Sequence, residues 1–382
     1  MKAKLACLDG LRAFSILFVL CSHAFPTIGH RIPSYLGFMF ARGDLGVFVF
    51  FVLSGFLITY LLIGEYETSG TIGLRNFYLR RVLRIFPAFY TYLLVLTVLS
   101  LFGCVSIAPR NFLEAGTFLW NYQNMWDSTS RDGYWFLGHF WTLSLEEQFY
   151  LLWPLTLLLL RIRRAMWVAL ALIIVMPFIR LVSYFLFPES RGQLIMMLHT
   201  GADPLMFGCL LGLTMKHRSV NRMLDCFAAP VWPILAALFV WLASPLIAAV
   251  LPGHLQGGYM TTLGRSLAGL SLIFIIAWLL RNPECLAGRL LNSKVMVHIG
   301  VLSYSLYLWQ QLFLTPLNVT WTGKFPLNVG CAYLAALLCY NLIERPFLKL
   351  KSTFAPRPSH RIAARSTEVL SSSVTKASVL EK

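Results

Sequence analysis

The chain has 382 residues, of which 58% are hydrophobic and 13% charged, with a formal net charge of +16. Soluble globular domains carry about a quarter of their residues as charges, so this composition excludes one and points to an all-α polytopic membrane protein, whose helices satisfy their own backbone in lipid. On a soluble protein the excess charge would suggest nucleic acid. Here it reads as basic residues gathered on one side of a bilayer.

Ten apolar runs long enough to span a membrane follow in order: 8–27, 44–63, 85–104, 143–160, 166–187, 201–215, 229–250, 264–280, 296–316 and 326–343. The first follows Lys2 and Lys4 as a signal peptide would. It holds Asp9 and Arg12, and no convincing cleavage site follows it, so it is expected to be retained as a helix. With a cytoplasmic N-terminus, 23 Lys and Arg fall on the cytoplasmic side and 6 on the other, while Arg12, Arg180 and Arg265 lie within spans. That asymmetry predicts about ten spans in one bundle with both termini cytoplasmic.

The transmembrane domain is expected over 1–350. The remainder, 351–382, is rich in Ser, Arg and Pro and reads as a disordered basic tail lying against anionic lipid. The outer segment 105–142 carries Trp120, Tyr122, Trp126, Trp135 and Trp141. They suit either an interfacial aromatic belt or faces for stacking a sugar. The eight cysteines form no C-x-x-C pair, so neither a metal site nor a disulfide framework is indicated. No internal repeat is visible, which weakens a transporter built from inverted halves.

Ionisable residues inside spans are costly and mark pathways or sites. Arg12 and His23 are eleven residues apart. At about 100° per residue they share one helix face, about 16 Å apart along the axis. Arg12, Arg80, Arg81 and Arg84 lie toward the cytoplasm, and His23, Asp44, Glu146, Glu147 and Asp203 toward the outer side. Arginine forks suit phosphate, so a basic inner end suits a phosphate-bearing donor such as a nucleotide or coenzyme A. The same arginines equally serve as plain topology signals. His23 suits a general base, and Glu146 or Glu147, placed at its depth, is expected to orient it. The alternative is a structural histidine bonded to a backbone carbonyl. Arg12 either contacts the donor or pairs with Asp9 at i, i+3.

These residues fall in motifs that resemble the acyltransferase 3 family of integral membrane acyltransferases, from about residue 8 to about 348. LDGLRAFSILFVLCSHA resembles the family's first helix, with Arg12 and His23. GDLGVFVFFVLSGFLIT is similar to its second, with Asp44 and Ser54. FYLRRVLRIFPAF carries Arg81 and Arg84 in arginine-two residues-arginine spacing. HFWTLSLEEQFYLLWP brings His139, Glu146, Glu147 and Tyr150. Asp203 with Gly208, LSYSLYLWQQ and IERPF resemble the later motifs. One departure stands out: many relatives have histidine after the LYLW run, where this chain has Gln310.

The resemblance implies acyl transfer, commonly of acetyl, from cytosolic acyl-CoA as co-substrate to a carbohydrate hydroxyl, in a bacterial cytoplasmic membrane and without a metal. The acceptor would be a surface polysaccharide, a lipid-linked sugar or peptidoglycan. It implies His23, Glu146 and Glu147 as catalytic, Arg12, Arg80, Arg81 and Arg84 at the donor, and Asp44, Ser54, His139, Tyr150 and Asp203 as acceptor-side or supporting. Ser22 and Ser54 are the serines to consider for a covalent intermediate. Some relatives carry a further C-terminal hydrolase-like domain, which is not expected here. A transporter or flippase for a sugar, lined by the same charges, is the competing class, and coenzyme A dependence separates the two.

Overall fold

The computed structural model describes residues 2–28, 42–122, 135–215, 220, 222, 225–315, 317–318 and 320–354. Among the described residues there is helix and turn but no strand. The principal helices are α1 (Lys2–Ile28), α2 (Gly43–Ser69), α3 (Leu74–Leu101), α4 (Phe140–Leu186), α5 (Asp203–Thr214), α6 (Val231–Val250), α7 (Leu263–Arg281), α8 (Lys294–Phe313) and α9 (Leu327–Lys351).

Each of the ten apolar runs overlaps one of these helices, two of them α4, and among the described residues some extend past a helix end by up to three residues. By length and apolarity, seven helical stretches among the described residues can cross a membrane. One of them, α4, is 47 residues long, about twice what a bilayer needs. It breaks at Arg161, whose backbone stands at φ 60 and ψ 165. A left-handed φ costs a non-glycine residue, and here it separates two membrane-length halves at the basic run Arg161–Arg164. α5 is apolar but only 12 residues long.

α2 lies at the centre: 67% of its apolar stretch is buried, against 22% for α4. It crosses α5 at close range because neither helix carries a side chain there. A Cβ on Gly208 would stand 2.0 Å from the Val52 carbonyl oxygen, and one on Gly55 would stand 2.0 Å from that of Leu205. Without a hydrophobic drive between helices in lipid, such small-residue contacts allow the backbones to approach. α1 meets α8 in the same way, with Gly300 against the carbonyl of Asp9.

Three apolar clusters fill the bundle. One joins α1, α3, α8 and α9 with the segment around Trp120 and Phe136. A second joins α2, α4 and α5. The third joins α1, α2, α5 and α7. After α9 the chain turns once more through Ser352–Phe354, and the Phe354 carbonyl accepts from Arg80 Nη1 at 2.8 Å. Four residues expected in the tail, 351–354, are therefore helical, with the last tied to α3. The rest of the tail, from 355, lies outside the described residues.

Candidate active site

A cavity with an empty volume of ≈ 820 Å³ opens where α1, α2, α3, α4 and α8 converge. Arg12 reaches it from α1, and Arg81 and Arg84, one turn apart, reach it from α3. α4 contributes Thr142, Glu146, Glu147 and Tyr150, α2 contributes Ser54, and α8 contributes Ser303, Tyr304 and Tyr307. Three guanidiniums thus face two carboxylates. Arg81 lies 5.3 Å above the Tyr150 ring and 5.4 Å above that of Phe77. Cation–π contact of this kind orients a guanidinium without neutralising it.

The carboxylates are held from different sides. Ser54 Oγ donates to Glu146 Oε1 at 2.7 Å. Glu147 faces the cavity with Arg81 as its nearby opposite charge. Arg12 Nη1 is 2.7 Å from Asp9 Oδ1, so the ion pair weighed from sequence exists, and the same guanidinium also lines the cavity. The two readings of Arg12 are compatible.

Arg80 does not line the cavity. Its neighbour Arg81 does, and adjacent helical residues point about 100° apart. Arg80 pairs instead with Glu65 at 2.7 Å. Sequence reasoning gave no role at this end to Lys351, in the last turn of α9. It is half-buried and within electrostatic range of Arg84, Arg81, Arg12 and Arg80.

His23 is placed differently from expectation. Its Nδ1 lies 2.7 Å from Gln310 Oε1 on α8, and Glu146 and Glu147 are at the arginine-lined cavity rather than beside it. A residue's position along a helix fixes neither the tilt of that helix nor the face it presents. Tyr307 lies on the cavity wall, and Gln310 is three residues further along α8, a rise of about 4.5 Å. The Trp135 ring stands 5.8 Å from the imidazole, edge-on.

His139 is buried just beyond the cavity. Its Nδ1 meets Gln311 Oε1, and its carbonyl accepts from Tyr307 Oη at 3.1 Å. The Tyr307 hydroxyl also meets Thr142 Oγ1 at 2.6 Å. Two consecutive glutamines of α8 therefore hold two histidines from different helical segments. Ser303, Tyr307 and Gln310 lie on one stripe of α8, at i, i+4 and i+7.

Two expected site residues lie elsewhere. Asp44, 59% exposed in its side chain, pairs with Arg42 at 3.2 Å. Asp203 is fully buried and takes both forks of Arg180, at 2.6 and 2.9 Å, with Arg265 at 3.4 Å. Both arginines lie within apolar spans in the sequence, but their shared partner is not legible there. The aromatic outer segment also differs from expectation. Trp120 is 1% exposed, so it is neither belt nor open platform, and Trp135 Nε1 donates to the Gln311 carbonyl. Trp126 lies outside the described residues. Asn121 and Gln148 exchange amide hydrogen bonds at 3.0 and 2.9 Å, which ties this segment over α4. Among the described residues, no three His, Cys, Asp or Glu side chains are placed to hold a metal ion.

The O-acetyltransferase OatA of Staphylococcus aureus (strain NCTC 8325 / PS 47) is 28% identical to this chain over 373 residues, 90% of this chain and 57% of that protein. A putative O-acetyltransferase of Staphylococcus aureus (strain COL) is 28% identical over 374 residues, with the same coverage. The chain thus spans little more than half the length of these curated relatives. No solved structure matches it. The profile of the acyltransferase domain family matches residues 5–344. That stretch contains every residue lining the cavity, together with His23 and Gln310, and on this match the chain belongs to the acyltransferase 3 family.

Proposed function

We propose that the chain is a membrane-embedded O-acyltransferase that takes an acetyl group from acetyl-CoA on the cytosolic side. The acceptor is a hydroxyl of an extracytoplasmic or lipid-linked carbohydrate. Ten spans with both termini cytoplasmic, in a bacterial cytoplasmic membrane, give the bundle its direction. The observation that supports this reading is the cavity lined by three guanidiniums and two carboxyl groups, together with His23, held by Gln310 three residues along α8 from the lining residue Tyr307.

Arg81 and Arg84, with Arg12 and Lys351 beside them, bind the phosphates of the donor through charge-assisted bonds. Arg80 braces α3 and the tail. Glu146 and Glu147 offset the crowded guanidiniums, and the hydroxyls of Ser54, Tyr150, Tyr304 and Tyr307 line the path of the pantetheine arm. The thioester then lies near His23. The imidazole takes the proton from the acceptor hydroxyl, and the oxygen attacks the thioester carbonyl. The tetrahedral intermediate collapses with cleavage of the C–S bond. The thiolate leaves with the proton held by His23, giving the O-acetyl ester and free coenzyme A. His139, fixed by Gln311 and Tyr307, shapes the acceptor side, while Asp44 and Asp203 act through the fold.

The test is transfer of labelled acetyl from acetyl-CoA, added to inside-out membrane vesicles, into envelope glycan. Wild-type chain is expected to label glycan and release coenzyme A. A folded His23→Ala protein is expected to do neither. Full labelling by His23→Ala would overturn the base assignment. Absence of any acetyl-CoA turnover by the wild-type chain would overturn the enzyme reading in favour of transport.

A further inference from the structure

We infer that Gln310 is a positioning residue for the reaction: its side-chain oxygen fixes the tautomer and tilt of His23, so that the proton-accepting lone pair is on Nε2. The inference rests on the proposal that His23 is the base. It adds a residue that neither the family match nor the relatives' names assign.

The geometry is a single strong contact. His23 Nδ1 is 2.7 Å from Gln310 Oε1. The amide is placed with Oε1 toward the ring and Nε2 buried without a hydrogen-bond partner; in that placement the oxygen can only accept, so the hydrogen in the bond belongs to Nδ1. In a neutral imidazole the other nitrogen then carries the lone pair. Gln310 is fully buried on α8, so no water competes for its oxygen. The ring is fixed further by Trp135, edge-on at 5.8 Å, whose Nε1 donates to the carbonyl of Gln311. One turn of α8 thus holds both the histidine and the ring beside it.

Glutamine does here what a carboxylate does in many histidine sites, with one difference. It orients the ring without stabilising the imidazolium. A base so held returns its proton to the departing thiolate more readily than one held by an anion. A neutral acceptor also avoids burying an anion in the bundle.

The alternative is that the contact merely ties α1 to α8, since interhelical hydrogen bonds of this kind occur throughout membrane bundles. Two variants separate these roles. Gln310→Met keeps the volume and removes the acceptor. Gln310→Glu keeps the acceptor and adds charge. Both are assayed in the same vesicles, as kcat and KM for acetyl-CoA and as kcat/KM against pH, beside His23→Ala, with folding checked by gel filtration in detergent.

Gln310→Met is expected to lower kcat at least ten-fold with KM for acetyl-CoA within two-fold of wild type. Gln310→Glu is expected to retain most activity at high pH, while the acid limb of its profile moves up by about 1 to 3 pH units, the usual effect of an adjacent opposite charge. Wild-type kcat in Gln310→Met would overturn the inference, as would an unmoved acid limb in an active Gln310→Glu. If either variant fails to fold, the other still decides. Loss of activity in His23→Ala together with wild-type behaviour in both Gln310 variants rejects this inference alone. Full activity in His23→Ala rejects the base assignment and this inference with it.

Discussion

Ser54 Oγ on α2 donates to Glu146 Oε1 on α4 across 2.7 Å at the wall of the cavity. The bond sets the hydroxyl as a donor to a carboxyl group that shares the cavity with Arg12, Arg81 and Arg84. A serine in this role is not required to carry the acyl group. We therefore expect Ser54→Ala to reduce transfer but not abolish it, since a hydrogen bond to a charged group contributes about 1.5–3 kcal/mol. Intact-mass analysis after exposure to acetyl-CoA without acceptor should show no acetylated Ser54. An acetyl adduct on Ser54 together with a dead Ser54→Ala would establish the covalent route instead.

Arg80, Arg81 and Arg84 separate by geometry despite lying within five residues. Arg81 and Arg84 line the cavity, while Arg80 is spent on Glu65 and the Phe354 carbonyl. Substituting Arg81 or Arg84 by Gln should raise KM for acetyl-CoA about 10- to 100-fold, the loss of one charge-assisted contact, and should weaken the dependence of KM on ionic strength. Arg80→Gln should leave KM within about two-fold and instead loosen the tail, read as faster proteolysis near residue 354. Equal KM effects at all three positions would make the cluster a diffuse topology signal rather than a site.

How far this was legible in the sequence depends on the residue. The one-face relation of Arg12 and His23 followed from helix geometry alone, and α1 is unbroken between them. The boundary between the halves of α4 followed from the basic run that begins at Arg161. That Glu146 and Glu147 share a cavity with Arg12, Arg81 and Arg84 was not legible, because apolar runs and charge bias sort loops between the two sides and fix neither the tilt nor the facing of a residue inside a span. Gln310 escaped notice as a partner because a neutral amide carries no charge signal; its substitution for histidine was visible, its contact was not. The Asp203 cluster needed the packing of α4, α5 and α7 to be known, since its members lie 23 and 62 residues apart in sequence.

Lys351 is the residue the basic tail hid. Half-buried at the end of α9, it adds a fourth cation beside Arg84, Arg81 and Arg12. An ammonium is a point charge without the bidentate fork of arginine, so its contribution to phosphate binding is smaller and less directional. Lys351→Ala should raise KM for acetyl-CoA about 3- to 10-fold, within the roughly 0.5–1.5 kcal/mol of a typical net hydrogen bond, with kcat unchanged, and Lys351→Arg should restore it. An unchanged KM in Lys351→Ala would leave this lysine as a helix-end charge and nothing more.

Asp203 and Arg180 form a fully buried ion pair, each 0% exposed in its side chain, away from the cavity, and Arg265 shares the same carboxylate at 3.4 Å. Removing one partner of a buried pair costs about 3–5 kcal/mol, because the other charge is left without compensation. Asp203→Asn keeps the shape and strands two guanidiniums, so it should lower the thermal unfolding midpoint in detergent and the yield of folded protein. Any fraction that folds should keep the wild-type KM for acetyl-CoA. Adding Arg180→Met to Asp203→Asn removes one stranded charge and should recover part of the loss. Wild-type thermal behaviour of Asp203→Asn, combined with a changed KM, would move Asp203 from the fold to the substrate.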